Sequence, residues 1–207
     1  IELGERYNFP VVDIDKLLNE NSDAKIIGND LMIDHLHPDL DGYRLIGKYF
    51  FNSIKDNGLL PEDYPDINES ILDSLSRINF YFSYIDSTVA KYRIIILKND
   101  WPFSERRDVS YMMKLFNPQN YLDTTALKVI DDRISWEQAH RDAAIFYYNN
   151  GEYDKYAYEM KVVIDQYPFV TEYYNIAAKN LLQVKQFDTS YDFLLSSYKE
   201  SPDAFNT

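Results

Sequence analysis

The segment Asp34-His35-Leu36-His37-Pro38, with Gly42-Tyr43 following, holds the residues best suited to chemistry in this sequence. A carboxylate three residues before an imidazole, on a loop that feeds a helix, can sit beside the ring, fix its tautomer and steady the imidazolium. Asp34 would then orient His37 as a general base for a hydroxyl nucleophile. The same spacing also suits a helix-start loop in which Asp34 only anchors the histidine. A metal reading draws on Asp34, His35, His37 and either Asp39 or Asp41, but neighbouring loop positions rarely converge on one ion without a further ligand. The chain has no cysteine, which excludes disulfides, thiolate zinc sites and cysteine nucleophiles, and neither a metal nor another cofactor is expected. His140, the remaining histidine, falls where a helix faces its neighbour, and packing is its expected role.

The elements that position these residues sit in an acidic chain: 207 residues carry 21 Lys+Arg against 34 Asp+Glu, a formal charge of −13. Without a Lys/Arg run, such a chain repels phosphate backbones and anionic lipid, so nucleic acid is not an expected partner. Apolar runs such as Ile94–Leu97 are too short for membrane insertion. A composition 45% hydrophobic and 16% aromatic is that of a folded protein. The compartment is not legible. Ile1-Glu2-Leu3-Gly4-Glu5-Arg6-Tyr7 lacks an initiator Met and reads as the end of a helix in progress, which predicts a piece of a longer protein.

Near the N-terminus Pro10-Val11-Val12-Asp13-Ile14 suits a short buried strand, with a helical stretch around Lys16-Leu17-Leu18. Tyr43, Leu45, Ile46, Tyr49, Phe50 and Ile54 predict a helix from Gly42 to about Asp56, closed by Gly58. Pro61 and Pro65 mark a boundary, and beyond Asn68 the periodicity is helical throughout. Asp86-Ser87-Thr88 reads as a helix start leading through Val89 to Lys98, and Trp101-Pro102-Phe103 as a wedge anchoring that helix. The expected fold is mainly α: a short α/β remnant, then a stack of antiparallel helical hairpins. Its divisions are residues 1–60, connector helices over 61–106, and a repeat domain over 107–207.

Asp34-x-x-His37-Pro38 with Gly42-Tyr43 resembles the last sequence block of the SGNH/GDSL hydrolases, and Tyr7-Asn8-Phe9-Pro10-Val11-Val12-Asp13 resembles the strand before it. The resemblance covers roughly Ile1 to Leu60. It implies Asp34 as the orienting acid, His37 as the base and an acyl or acetyl ester as substrate. The family's Gly-Asp-Ser nucleophile block does not occur in this sequence, nor does Gly-x-Ser-x-Gly. The chain alone is therefore expected to be non-catalytic.

The last seventy residues repeat with a period of 34: Ala143-Ala144 recurs as Ala177-Ala178, Tyr147 as Leu181, Tyr153-Asp154 as Phe187-Asp188, Met160 as Leu194 and Pro168 as Pro202. Small residues let two helices approach, an aromatic fills the open end, and proline stops the second helix. The pattern resembles a pair of tetratricopeptide repeats, with Gly151 in the turn of the first, Lys185 replacing it in the second, and Tyr156 where the family has a small residue. Helices are predicted near 136–149, 153–166, 170–183 and 187–199. A further shift reaches Ser110, Met113, Asn117 and Ala126, and predicts a degenerate hairpin over Arg107–Ile134. The resemblance implies a protein or peptide partner in a groove lined by Gln138, Arg141, Ile145, Tyr148 and Asn149, then Glu172, Asn175, Lys179 and Leu182. Arg141, Tyr148, Asn149, Asn175 and Lys179 would bind, and the two cations predict a ligand carrying a carboxylate. The alternative function is a non-enzymatic binding scaffold built on the same hairpins.

Overall fold

The computed structural model describes residues 1–65, 67–105 and 109–202, and the chain divides into two units, Ile1–Glu69 and Ser70 onward. It is mainly helical, as the periodicity predicts, with eleven helices and no strand among the described residues. The first unit holds α1 (Glu2–Tyr7), α2 (Ile14–Asn21) and α3 (Leu40–Asp56). Helices α2 and α3 meet where Asn21 donates a 2.8 Å hydrogen bond to the Tyr49 hydroxyl. Leu18, Ser22, Leu31 and Gly42 are buried. Gly58 ends α3 with φ +65°, the left-handed conformation expected of it.

The expected strand over residues 10–14 does not form, and the α/β remnant is corrected to a helical segment with loops. A strand must pair its backbone groups with a neighbour, and among the described residues the one β-type pairing is an isolated bridge between Met32 and Pro38. Phe9 and Val11 are exposed. The Asp13 carboxylate instead accepts the Lys16 N–H at 3.1 Å and turns the segment into the start of α2.

Helix α4 (Glu69–Ile78) runs across the division. The second unit continues with α5 (Tyr84–Lys98), α6 (Val109–Phe116), α7 (Tyr121–Ile130), α8 (Trp136–Asn149), α9 (Tyr153–Gln166), α10 (Thr171–Gln183) and α11 (Phe187–Glu200). Helix α5 starts earlier than the sequence suggests: Ser83 is its N-cap and Asp86 closes a capping box, so Asp86 lies inside the first turn. Trp101 is 80% exposed, so it is not the wedge its composition predicts.

Helices α8 and α9 pack as one hairpin and α10 and α11 as another, with α9 against α10. Ala143, Ala144, Ala177 and Ala178 are buried to within 1% of completely, which is what lets the paired helices close. At the second of these approaches Ser190 donates 2.8 Å to the Ala178 carbonyl. Tyr156, the bulky departure, is accommodated rather than expelled: it is buried, its hydroxyl accepts from the Asn180 amide at 2.9 Å, and it lies against Tyr148.

The 34-residue period also persists in the backbone. Asn117, Gly151 and Lys185 all adopt positive φ, at 37°, 74° and 63°. The degenerate hairpin keeps the register in one helix only. Leu122, Ala126 and Val129 of α7 are buried in the places Tyr156, Met160 and Val163 take in α9. Met113 of α6, in the place of Tyr147, is 54% exposed. The helix paired with α7 is α5, not α6. Arg107, the expected start of that hairpin, lies outside the described residues.

Candidate functional site

The Asp34–His37 loop is closed at its base by backbone hydrogen bonds, from Ile33 N–H to the His37 carbonyl at 2.8 Å and from Asp39 N–H to the Leu31 carbonyl at 3.0 Å. Asp39 then caps α3, accepting the Gly42 N–H at 2.8 Å. Gly42 is required there: a Cβ on it would lie 2.2 Å from the Leu31 carbonyl oxygen. This close approach ties the loop to the helix start and explains the glycine of the motif in physical terms.

Within the loop, Nδ1 of His37 lies 2.9 and 2.8 Å from the two Asp34 carboxylate oxygens. One of those oxygens also accepts the backbone N–H of Leu36 at 2.7 Å and of His37 at 2.9 Å. These bonds, the Leu36 N–H foremost, outweigh desolvation and lower the Asp34 pKa to about 2. An ionised carboxylate can only accept, so Nδ1 carries the hydrogen and Nε2 is the basic nitrogen. The Asp34 side chain is 2% exposed and the His37 ring 55%. Among the described residues no hydroxyl bonds to Nε2. Ser22, a serine of this unit, is buried and donates to the Ile26 carbonyl at 2.6 Å.

The expected groove residues lie on α8 and α10. Arg141 pairs with Glu137 on its own helix at 3.3 Å, and Glu137 also accepts the Tyr173 hydroxyl at 2.6 Å. That hydrogen bond, followed by desolvation, pushes the Tyr173 pKa up to about 12. Gln138 donates to Asp142 at 2.7 Å. Tyr148 lies edge-on against Tyr156, and the exposed Asn175 accepts a hydrogen bond from Ser197 at 3.2 Å. Asn149, Ile145, Glu172, Lys179 and Leu182 are exposed. With Glu137 and Asp142 beside Arg141 this face is of mixed charge, where the sequence suggests a basic one.

Sequence reasoning misses a third cluster. His140 is fully buried, with Nδ1 2.7 Å from Glu159 of α9 and Nε2 3.2 Å from Asp86 of α5. The same Asp86 oxygen accepts Trp136 Nε1 at 2.8 Å, and its other oxygen accepts the Ser83 N–H at 2.9 Å. Burial pulls the His140 pKa down, but the ring's hydrogen bonds to both carboxylates, and their charges, outweigh it and leave the pKa raised from 6.5. Desolvation likewise opposes ionisation of Asp86, and the His140 and Ser83 bonds overcome it, leaving its pKa lowered. Carboxylate, imidazolium and carboxylate thus join α5, α8 and α9. No solvent reaches the ring, and the cluster ties three helices of the core together.

No family model, curated protein or solved structure matches the chain. Among the described residues no three His, Asp or Glu side chains converge to hold a metal ion, and no helix is long and apolar enough to cross a membrane. The chemistry on offer is an oriented, half-exposed imidazole in the first unit and a mixed polar helix face in the second.

Proposed function

We propose that this chain is the C-terminal part of an SGNH/GDSL-like ester hydrolase, carrying the acid and base of a catalytic triad and, after them, a tetratricopeptide-like module that binds a protein or peptide. The contact of both Asp34 oxygens with Nδ1 of His37 carries the reading, because it leaves Nε2 basic on an exposed ring. In such a triad Nε2 takes the serine proton as the serine oxygen attacks the acyl carbon, then returns it to the leaving alkoxide. Asp34 stays ionised and holds the ring in place. The serine must come from outside residues 1–207, so this chain alone has no covalent route.

The test uses the full gene product assayed on a simple acetyl ester. Hydrolysis should fall by about a thousandfold or more in His37→Ala, and residues 1–207 alone should show none. Hydrolysis indifferent to His37→Ala, or a gene product without activity and without a Gly-Asp-Ser block before Ile1, sinks the enzyme reading. What then remains is a helical-repeat scaffold, favoured by the exposed Lys179, Asn149 and Leu182. For that function, Arg141→Ala with Lys179→Ala should weaken a captured partner.

A further inference from the structure

Both ring nitrogens of His140 face a carboxylate, Nδ1 that of Glu159 at 2.7 Å and Nε2 that of Asp86 at 3.2 Å. An ionised carboxylate can only accept, and a neutral imidazole has one N–H to give. The charged ring satisfies both neighbours, whereas a neutral ring must turn a lone pair on one of them. Their surroundings decide which. Glu159 is 2% exposed and has no other hydrogen-bond partner among the described residues. Asp86 also accepts the Trp136 indole N–H at 2.8 Å and the Ser83 N–H at 2.9 Å, and its side chain is 14% exposed. Asp86 can do without the ring and Glu159 cannot, so the remaining hydrogen stays on Nδ1 and the bare Nε2 opposes Asp86.

The repelled carboxylate belongs to the first turn of α5, where Asp86 closes the capping box with Ser83. On the other side, the His140–Glu159 bond keeps α8 joined to α9. The neighbouring ionisable groups leave this balance alone. From α7, Asp123 accepts the Tyr84 hydroxyl at 2.7 Å. Tyr147 of α8 has its pKa pushed up to about 12 by burial and then by the Glu159 charge, and it stays neutral. The entry to α5 has one more tie to α9, the Phe82 N–H on the Tyr158 hydroxyl at 3.0 Å, and both of those residues are exposed to competing water.

We propose that Asp86, His140 and Glu159 form a proton-operated latch: the imidazolium holds the first turn of α5 against α8 and α9, and loss of its proton releases that turn while the helical hairpins stay folded. Hydrogen exchange of residues 1–207 tests it at the amides of Ile85 and Ser87, whose bonds to Ser83 close the turn. Corrected for intrinsic rate and set against the amides of α10, they should exchange about tenfold faster or more at about pH 9 than at about pH 6. In Glu159→Gln the new amide can donate to Nδ1, so a neutral ring gives its hydrogen to Asp86 from Nε2, and the turn should stay closed at both values. Protection of Ile85 and Ser87 that does not change with pH, or that falls only together with α10, overturns the latch. So does a Glu159→Gln protein that folds and opens as the wild type does. Should that variant not fold, the wild-type comparison of α5 with α10 decides alone.

Discussion

At the scale of single residues, the His140 cluster joins an imidazole to two carboxylates in the core of the second unit. Breaking a buried ionic network by removing one member costs about 3–5 kcal/mol, because the remaining charges stay desolvated and unmet. His140→Ala, which leaves Asp86 and Glu159 facing each other, should lose about that much in urea unfolding, and a loss below about 1 kcal/mol would count against the network's role. The pH dependence follows from the shifts. The His140 pKa is raised on folding from 6.5, so its contribution is complete below that value and is lost as pH rises through the folded value. The Asp86 pKa is lowered from 3.8, so its contribution is present above that value and is lost as pH falls through the folded one. Melting temperature should therefore decline on the alkaline side of 6.5 in the wild type, and that decline should shrink in His140→Ala.

At the scale of elements, the left-handed residue that follows α6, α8 and α10 recurs every 34 positions while its identity changes. An L residue with a side chain pays about 1–2 kcal/mol for that conformation and glycine does not. Gly151→Ala should destabilise by about 1 kcal/mol and Lys185→Gly should stabilise by a similar amount, read as opposite shifts in thermal unfolding. The hairpins were legible because local signals coincide there: apolar spacing, small residues at the closest approach and a turn residue at a fixed offset. The predicted 136–149 and 153–166 agree with α8 and α9 for this reason. The apolar run at residues 10–14 satisfies a strand pattern equally well, but a strand needs a neighbour and the run does not encode one. Pairing of α5 with α7 across α6 is a long-range choice, invisible to periodicity. The Asp34–His37 contact was legible because its members are three residues apart; the partners of His140 lie 54 and 19 residues away.

At the scale of the whole molecule, the charge of −13 sets a background of mutual repulsion that neutral salt screens. The exposed ion pairs, such as Lys16–Glu20 and Arg77–Asp73, are individually worth little. Raising the ionic strength should increase the melting temperature; a decrease would mean that the ion pairs outweigh the repulsion. The buried junction of α5, α8 and α9 adds something of a different kind. Between 6.5 and the raised pKa, the folded protein holds a hydrogen ion that the unfolded chain releases. That ion bridges three helices through a nitrogen ring, much as a coordinated cation does in other small folds. Folding in that range is a binding reaction as well as a collapse, with the hydrogen ion as a stoichiometric reactant drawn from the buffer.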